Sequence, residues 1–177
     1  AFAKQAVRRL LEDNGFFLSR VEFKTSSNEE TQQRDIEIYI KPGNRAAFGD
    51  IIVSGPVSHG DSLISVDELR KIAHLKRGKR FHQQHIQKGL DRLEQHFQTL
   101  GRWQPEIRVT GRQFEPDTGE VTLVLFLNPG PLIRVQVEGA HFAHIELQRY
   151  IPVFEEGVVD DDLLEEGRRN LRDALQS

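Results

Sequence analysis

Apolar positions along the chain change period several times, and each change marks an element. From residue 82 to 100, Ile86, Leu90, Leu93, Phe97 and Leu100 recur at spacings of 4, 3, 4 and 3. That is one apolar stripe on a helix of about five turns. Gly101 follows where a left-handed C-terminal glycine belongs. Residues 1–14 end the same way, with Val7, Leu10 and Leu11 before Asn14-Gly15. Asp162 to Gln176 carries a third such stripe through Leu164, Leu171 and Leu175. A shorter helix is predicted after Ser65, an N-cap with Glu68 three residues on and Leu69, Ile72 and Ala73 as its apolar face. Glu106 to Thr110 alternates polar and apolar residues, as a half-buried strand does. After turn chemistry at residues 115–119, Val121 to Leu127 is almost continuously apolar, which predicts the central strand. Leu132 to Val137 alternates again and predicts a further strand.

The elements repeat. Asn14-Gly15-Phe16-Phe17, a β-like pair, Pro42-Gly43 and Ile51-Ile52-Val53-Ser54-Gly55 form one series. Leu100-Gly101-Arg102-Trp103, a β-like pair, Pro129-Gly130 and Val135-Gln136-Val137-Glu138-Gly139 form the second. Gly15 and Gly101 lie 86 residues apart, Gly55 and Gly139 84. Such a period defines a module of strand, helix, helix, strand, strand. Residues 46–130 make one whole copy. Residues 1–45 supply a helix and hairpin from an earlier copy, and 131–177 the strand and two helices of a later one.

Composition narrows the class. The chain has 177 residues, 29% charged and 37% hydrophobic, and no apolar run long enough for a spanning helix. A net charge of -3 does not favour nucleic acid. Ten acidic against five basic residues fall in 131–177, which predicts a solvated acidic face there. With no cysteine, disulfides, thiol catalysis and Cys-based metal sites are excluded. No methionine is present and no leader-like segment opens the chain at Ala1. The expectation is an excised piece of a longer protein, with any targeting signal outside it.

The ordered set resembles POTRA, the polypeptide-transport-associated module of outer-membrane β-barrel insertases of the BamA-type surface antigen family. Phe48-Gly49-Asp50-Ile51-Ile52-Val53-Ser54-Gly55 is similar to the opening strand and its glycine, and Leu132 to Gly139 is a second copy. Leu75-Lys76-Arg77-Gly78-Lys79-Arg80-Phe81 resembles the link between the two helices. The glycine-aromatic steps at Gly101 and Gly15 resemble the entry to the second strand. The sequence departs from the pattern in a longer link over Pro56 to Leu63 and in Val158-Val159 where an aromatic is usual.

The resemblance implies an α+β fold of tandem modules, each a three-stranded mixed sheet packed on two helices. It implies a periplasmic portion of an outer-membrane protein, in a Gram-negative bacterium or a derived organelle. It implies binding rather than catalysis, with no cofactor. The implied partners are unfolded outer-membrane proteins, accessory assembly subunits and the protein's own β-barrel domain outside this segment, with no nucleic acid. An alternative is the corresponding region of a two-partner secretion transporter or of another membrane-anchored interaction protein.

The client mode would be strand addition at an open sheet edge. If Val121 to Leu127 is central, Glu106, Ile107, Arg108, Val109 and Thr110 lie outside it as the candidate edge. Leu90, Leu93 and Phe97 suggest a groove beside it. Lys76, Arg77, Lys79 and Arg80 form a basic cluster suited to peripheral contact with lipid headgroups or an acidic partner. Two histidine pairs, His82/His85 and His141/His144, have the wrong spacing and no third ligand for zinc, so no metal site is expected. Asp160, Asp161 and Asp162 lack a calcium-loop pattern and read as a helix N-terminus. Gly89 and Gly167, in matching mid-helix positions, predict close packing. Phe16, Phe17 and Trp103 predict packing at the joints between copies. The incomplete modules at the two ends also suggest head-to-tail self-association, which light scattering against concentration would detect.

Overall fold

The computed structural model describes all residues except 1, 29–32, 57–63, 103, 135, 139–146, 148, 157–158 and 177. In chain order these form α1 (Phe2–Asp13), β1 (Arg20–Asn28), β2 (Gln33–Lys41), β3 (Ala47–Ser54), α2 (Val66–Ala73), α3 (Gln83–Thr99), β4 (Glu106–Glu115), β5 (Glu120–Asn128), α4 (Val153–Glu156) and α5 (Asp161–Gln176). Among the described residues no helix is long and apolar enough to cross a membrane.

β3, α2, α3, β4 and β5 follow the module order read from the sequence. Their sheet has the order β3-β5-β4. β3 runs parallel to β5, and β4 runs antiparallel to it. A parallel pair needs a crossover, and α2 with α3 supplies it. The α+β class and the mixed three-stranded sheet on two helices therefore hold for this unit.

Alternation decides which face is buried. Val121, Leu123, Leu125 and Leu127 are buried, while Thr122, Val124, Phe126 and Asn128 are half-buried. The near-continuous apolar run thus marks the central strand, yet only one of its faces is fully covered. Against that face pack Leu69 and Ala73 of α2 and Ile86, Leu93 and Phe97 of α3, joined by Leu75 and Phe81 of the link. Each fully buried Leu, Ile or Phe contributes about 1.5–3 kcal/mol. Ser65 caps α2 by accepting the Glu68 amide at 3.2 Å. His82 caps α3 through Nδ1, which accepts the Gln84 amide at 3.1 Å. Leu100 ends α3, and Gly101 takes the left-handed turn that follows, with φ of 76°.

Gly89 is where the two helices meet. A Cβ there would lie 2.9 Å from the Ala73 carbonyl oxygen and 3.3 Å from Leu75 Cγ. Gly167 repeats this in α5, where a Cβ would lie 3.0 Å from Ile151 Cγ2. Both mid-helix glycines mark close approach, as their matching positions predict.

The ends are less complete. β1 and β2 form a two-stranded antiparallel hairpin in which Phe23 opposes Ile38, and Val21 opposes Ile40. One face of β2 leaves Ile36, Ile38 and Ile40 45–61% exposed. At the other end, Leu147, Ile151, Val153 and Leu171 form a second small core, with Ile133 and Val137 packed against it. The strand expected over Leu132 to Val137 is not formed at its described residues. A strand exists only as part of a ladder, and the segment's backbone bond from the Ile133 amide to the Gly101 carbonyl, at 2.8 Å, does not make one, so its alternation packs two side chains without a ladder.

Aromatic side chains link the segment after α1 to the sheet. Phe17 stacks on Phe114 with centroids 4.8 Å apart and meets Phe81 edge-on at 5.3 Å. The Ala46 amide donates to the Gly15 carbonyl at 2.8 Å. Phe17 therefore has the packing role its place after the helix suggests. Trp103 lies outside the described residues.

Candidate functional site

β4 is hydrogen-bonded to a strand on one side only, as the outer member of the sheet. The opposite edge, along β3, is partly occupied by the link between the helices. The Phe48 amide donates to the Lys79 carbonyl, the Gly78 amide to Phe48 and the Phe81 amide to Ala46, at 2.8–2.9 Å. Ala47 forms an isolated bridge with Arg80. The first half of β3 thus has backbone partners on both sides, and β4 is the more open edge.

A bulge divides β4. Val109 pairs with Leu125 and Gly111 with Val124, so Thr110 is the extra residue. Its hydroxyl donates to the Val124 carbonyl at 3.2 Å. Beyond the bulge, β4 is tied to the preceding segment by Phe114 against Phe17 and by Arg112 Nη1 3.4 Å from Asp13 Oδ1. Before it, Glu106 to Val109 form a regular run paired with β5. Ile107 and Val109 pack inward, half-buried. Glu106 and Arg108 are exposed and paired, with Arg108 Nε 2.9 Å from Glu106 Oε1. The Arg108 guanidinium also lies 4.5 Å from the Phe126 ring centroid. Charged side chains and a bulge are how an open edge avoids pairing with copies of itself.

The suggested groove is not present. Leu93 and Phe97 are 0% and 1% exposed, inside the core between α3 and the sheet. Leu90 is half-buried at its rim. The stripe that predicts α3 is the same stripe that buries it, so these side chains hold the helix on the sheet.

The basic cluster divides. Arg77 is committed within its own unit, 2.9 Å from Glu120 Oε2 and 3.1 Å from Asp50 Oδ1. The hydrogen bond to Glu120, then the charge of Asp50, holds its guanidinium more firmly protonated. Asp50 also receives Arg70 of α2 at 3.5 Å. Lys76 and Arg80 stay exposed. Lys79 lines a concavity with His74, His85, Lys88 and Arg92. The sequence signal for three of these is the spacing His85, Lys88, Arg92, which puts one basic stripe on α3. His74 joins them only through the packing of α2.

Among the described residues no cluster of His, Asp or Glu is arranged to hold a metal. His82 and His85 sit side by side, ring centroids 5.5 Å apart. His141 and His144 lie outside the described residues. Asp160 does cap a helix, its carboxylate accepting the Asp162 amide at 2.8 Å.

Residues 46–130 match the family model described as POTRA, surface antigen variable number repeat. No curated protein sequence matches the chain. Among solved structures the chain is similar to Haemophilus influenzae BamA POTRA3-5, at 16% identity and a TM-score of 0.48, covering 98% of this chain and 69% of that one. It is similar to POTRA1-2 of the periplasmic domain of Omp85 from Anabaena, at 17% identity and a TM-score of 0.42, over 68% and 69% of the two chains. BamA from Haemophilus ducreyi lacking POTRA domains 1-3 gives 17% identity and a TM-score of 0.42, over 70% of this chain and 21% of that one.

Proposed function

Because residues 46–130 match the POTRA family model, we propose that the chain is a periplasmic scaffold of an outer-membrane protein assembly factor. It acts without catalysis. It binds unfolded β-barrel clients, and accessory subunits, as an added strand on the outer edge of β4 at Glu106 to Thr110. The observation that carries this reading is the one-sided pairing of β4, in a sheet whose other edge is partly filled by the link. An extended client gains backbone hydrogen bonds there, and alternate side chains read its sequence. The bulge at Thr110 limits the regular run to Glu106–Val109, so a short register is expected.

Residues 1–45 and 131–177 are parts of neighbouring modules in this proposal. The uncovered apolar face of β2 and the separate core around Val153 support it. So does Gly167 against Ile151, which repeats the contact of Gly89 with Ala73. Amide exchange tests this division: β2 should exchange far faster than β5, and equal protection would refute it.

The test of the edge uses labelled protein and extended peptides from outer-membrane β-strands. Neighbouring residues of a strand point their amides to opposite sides. Of Arg108→Pro and Val109→Pro, therefore, one removes an outward amide and keeps the fold. That folded variant should lose peptide binding. Unchanged binding in a folded variant would overturn the proposal.

A further inference from the structure

A concavity of about 170 Å³ opens on the helical layer and is lined by His74, Lys79, His85, Lys88 and Arg92. All five are basic, and among the described residues no carboxylate and no residue of β4 is in the lining. His74 sits at the left-handed C-cap of α2, with φ of 56°. Lys79 comes from the link, and His85, Lys88 and Arg92 from one face of α3. Gly89 lets the end of α2 come down onto α3 and so brings the groups together.

Elsewhere in this unit most arginines are neutralised, Arg80 and Arg102 excepted among the described residues. Arg70, Arg77, Arg108 and Arg112 each lie within 4.0 Å of a carboxylate. Among the described residues none of the five concavity residues does. Cations suit a helix C-terminus, and Arg92 Nη1 does reach the Ala73 carbonyl at 3.4 Å. That end carries only about half a negative charge, however, so the three cations Lys79, Lys88 and Arg92, with two histidines beside them, exceed what the helix dipole calls for. Gathering them costs Coulomb energy that only an anion would return. Desolvation, together with the charges of His82, Lys88, Arg45 and Lys79, holds His85 below its usual range.

We propose that this concavity binds a phosphate-bearing anion. Its size suits a compact anionic group. The volume lies below the roughly 300 Å³ where organic-ligand pockets begin. Among the described residues no aromatic side chain lines it, so a base has nothing there to stack on. An arginine fork with lysine and histidine donors matches a group with several anionic oxygens. A lipid headgroup and a soluble phosphate share that chemistry.

The test uses the whole 177-residue chain. Inorganic phosphate is titrated at constant ionic strength against chloride, with amide shifts read by NMR. Saturable shifts confined to the five residues are expected, and Lys88→Glu/Arg92→Glu should weaken binding about tenfold or more. Lys79→Gln/Lys88→Gln, both exposed, should also weaken it and guards against misfolding of the first variant. Arg169→Glu/Arg172→Glu on α5 gives a distant charge control. A second arm uses phosphatidylglycerol and phosphatidylcholine vesicles. Flotation with phosphatidylglycerol alone, lost in the site variants and competed by phosphate, identifies a headgroup. Phosphate shifts without vesicle binding identify a soluble anion. Shifts that do not saturate, or equal losses in the site and control variants, would overturn the proposal.

Discussion

Gly89→Ala sets two effects of opposite sign against each other. Alanine is the better helix former by about 1 kcal/mol, so secondary structure alone predicts a gain. The added Cβ would lie 2.9 Å from the Ala73 carbonyl oxygen and 3.3 Å from both Ala73 Cβ and Leu75 Cγ. The nearest atom is backbone, fixed by the last turn of α2, and cannot swing aside as a side-chain tip would. Over-packing of this kind costs about 1–3 kcal/mol. Taking the middle of that range, the net effect is a loss of about 1 kcal/mol. For a cooperative unit of this size, Tm should fall by about 4–8 °C. Denaturant unfolding followed by circular dichroism gives the free energy, and exchange of the β5 amides assigns it to this unit. The calibration is Gln95, exposed on the same helix, where Ala should be more stable than Gly by about 1 kcal/mol. The sign must reverse between the two positions. A Gly89→Ala protein more stable by the full propensity difference would refute the close-approach argument.

Phe17→Ala removes the stack on Phe114 and the edge contact with Phe81, at about 0.5–1.5 kcal/mol each. Exchange should accelerate around Gly15 to Ser19 while β5 keeps its protection, and accelerated exchange throughout the sheet would contradict a joint role. His85 should titrate below the usual imidazole value of about 6.5, because desolvation first, then the neighbouring His82, Lys88, Arg45 and Lys79, disfavour its charged form. Its folded value is lowered, so the unfolded chain binds more protons. Stability is therefore intact above about 6.5 and declines, slightly, as pH falls toward the folded value. Phosphate should raise the NMR midpoint, and a midpoint at or above the usual value without phosphate would contradict the electrostatic account.

The sequence by itself determined the elements and the module. The spacing from Ile86 to Leu100 places α3 and its buried face. The alternation of Glu106 to Thr110 beside the apolar run of Val121 to Leu127 separates edge from centre, because a strand covered on one face carries apolar residues at every second position. Ser65 and Gly101 mark helix ends through local hydrogen bonding and backbone sterics, which need no distant partner. Tertiary structure decided whatever depends on what lies opposite. Leu132 to Val137 has a strand's alternation but no ladder. Leu93 and Phe97 became core, since a stripe that positions a helix is used up in doing so. Arg77 was withdrawn from the basic cluster by Asp50 and Glu120, residues 27 and 43 positions away. His74 and Lys79 joined His85, Lys88 and Arg92 only because Gly89 lets two helices touch. Burial and charge pairing are properties of neighbours in space, and the chain's order records only neighbours in sequence.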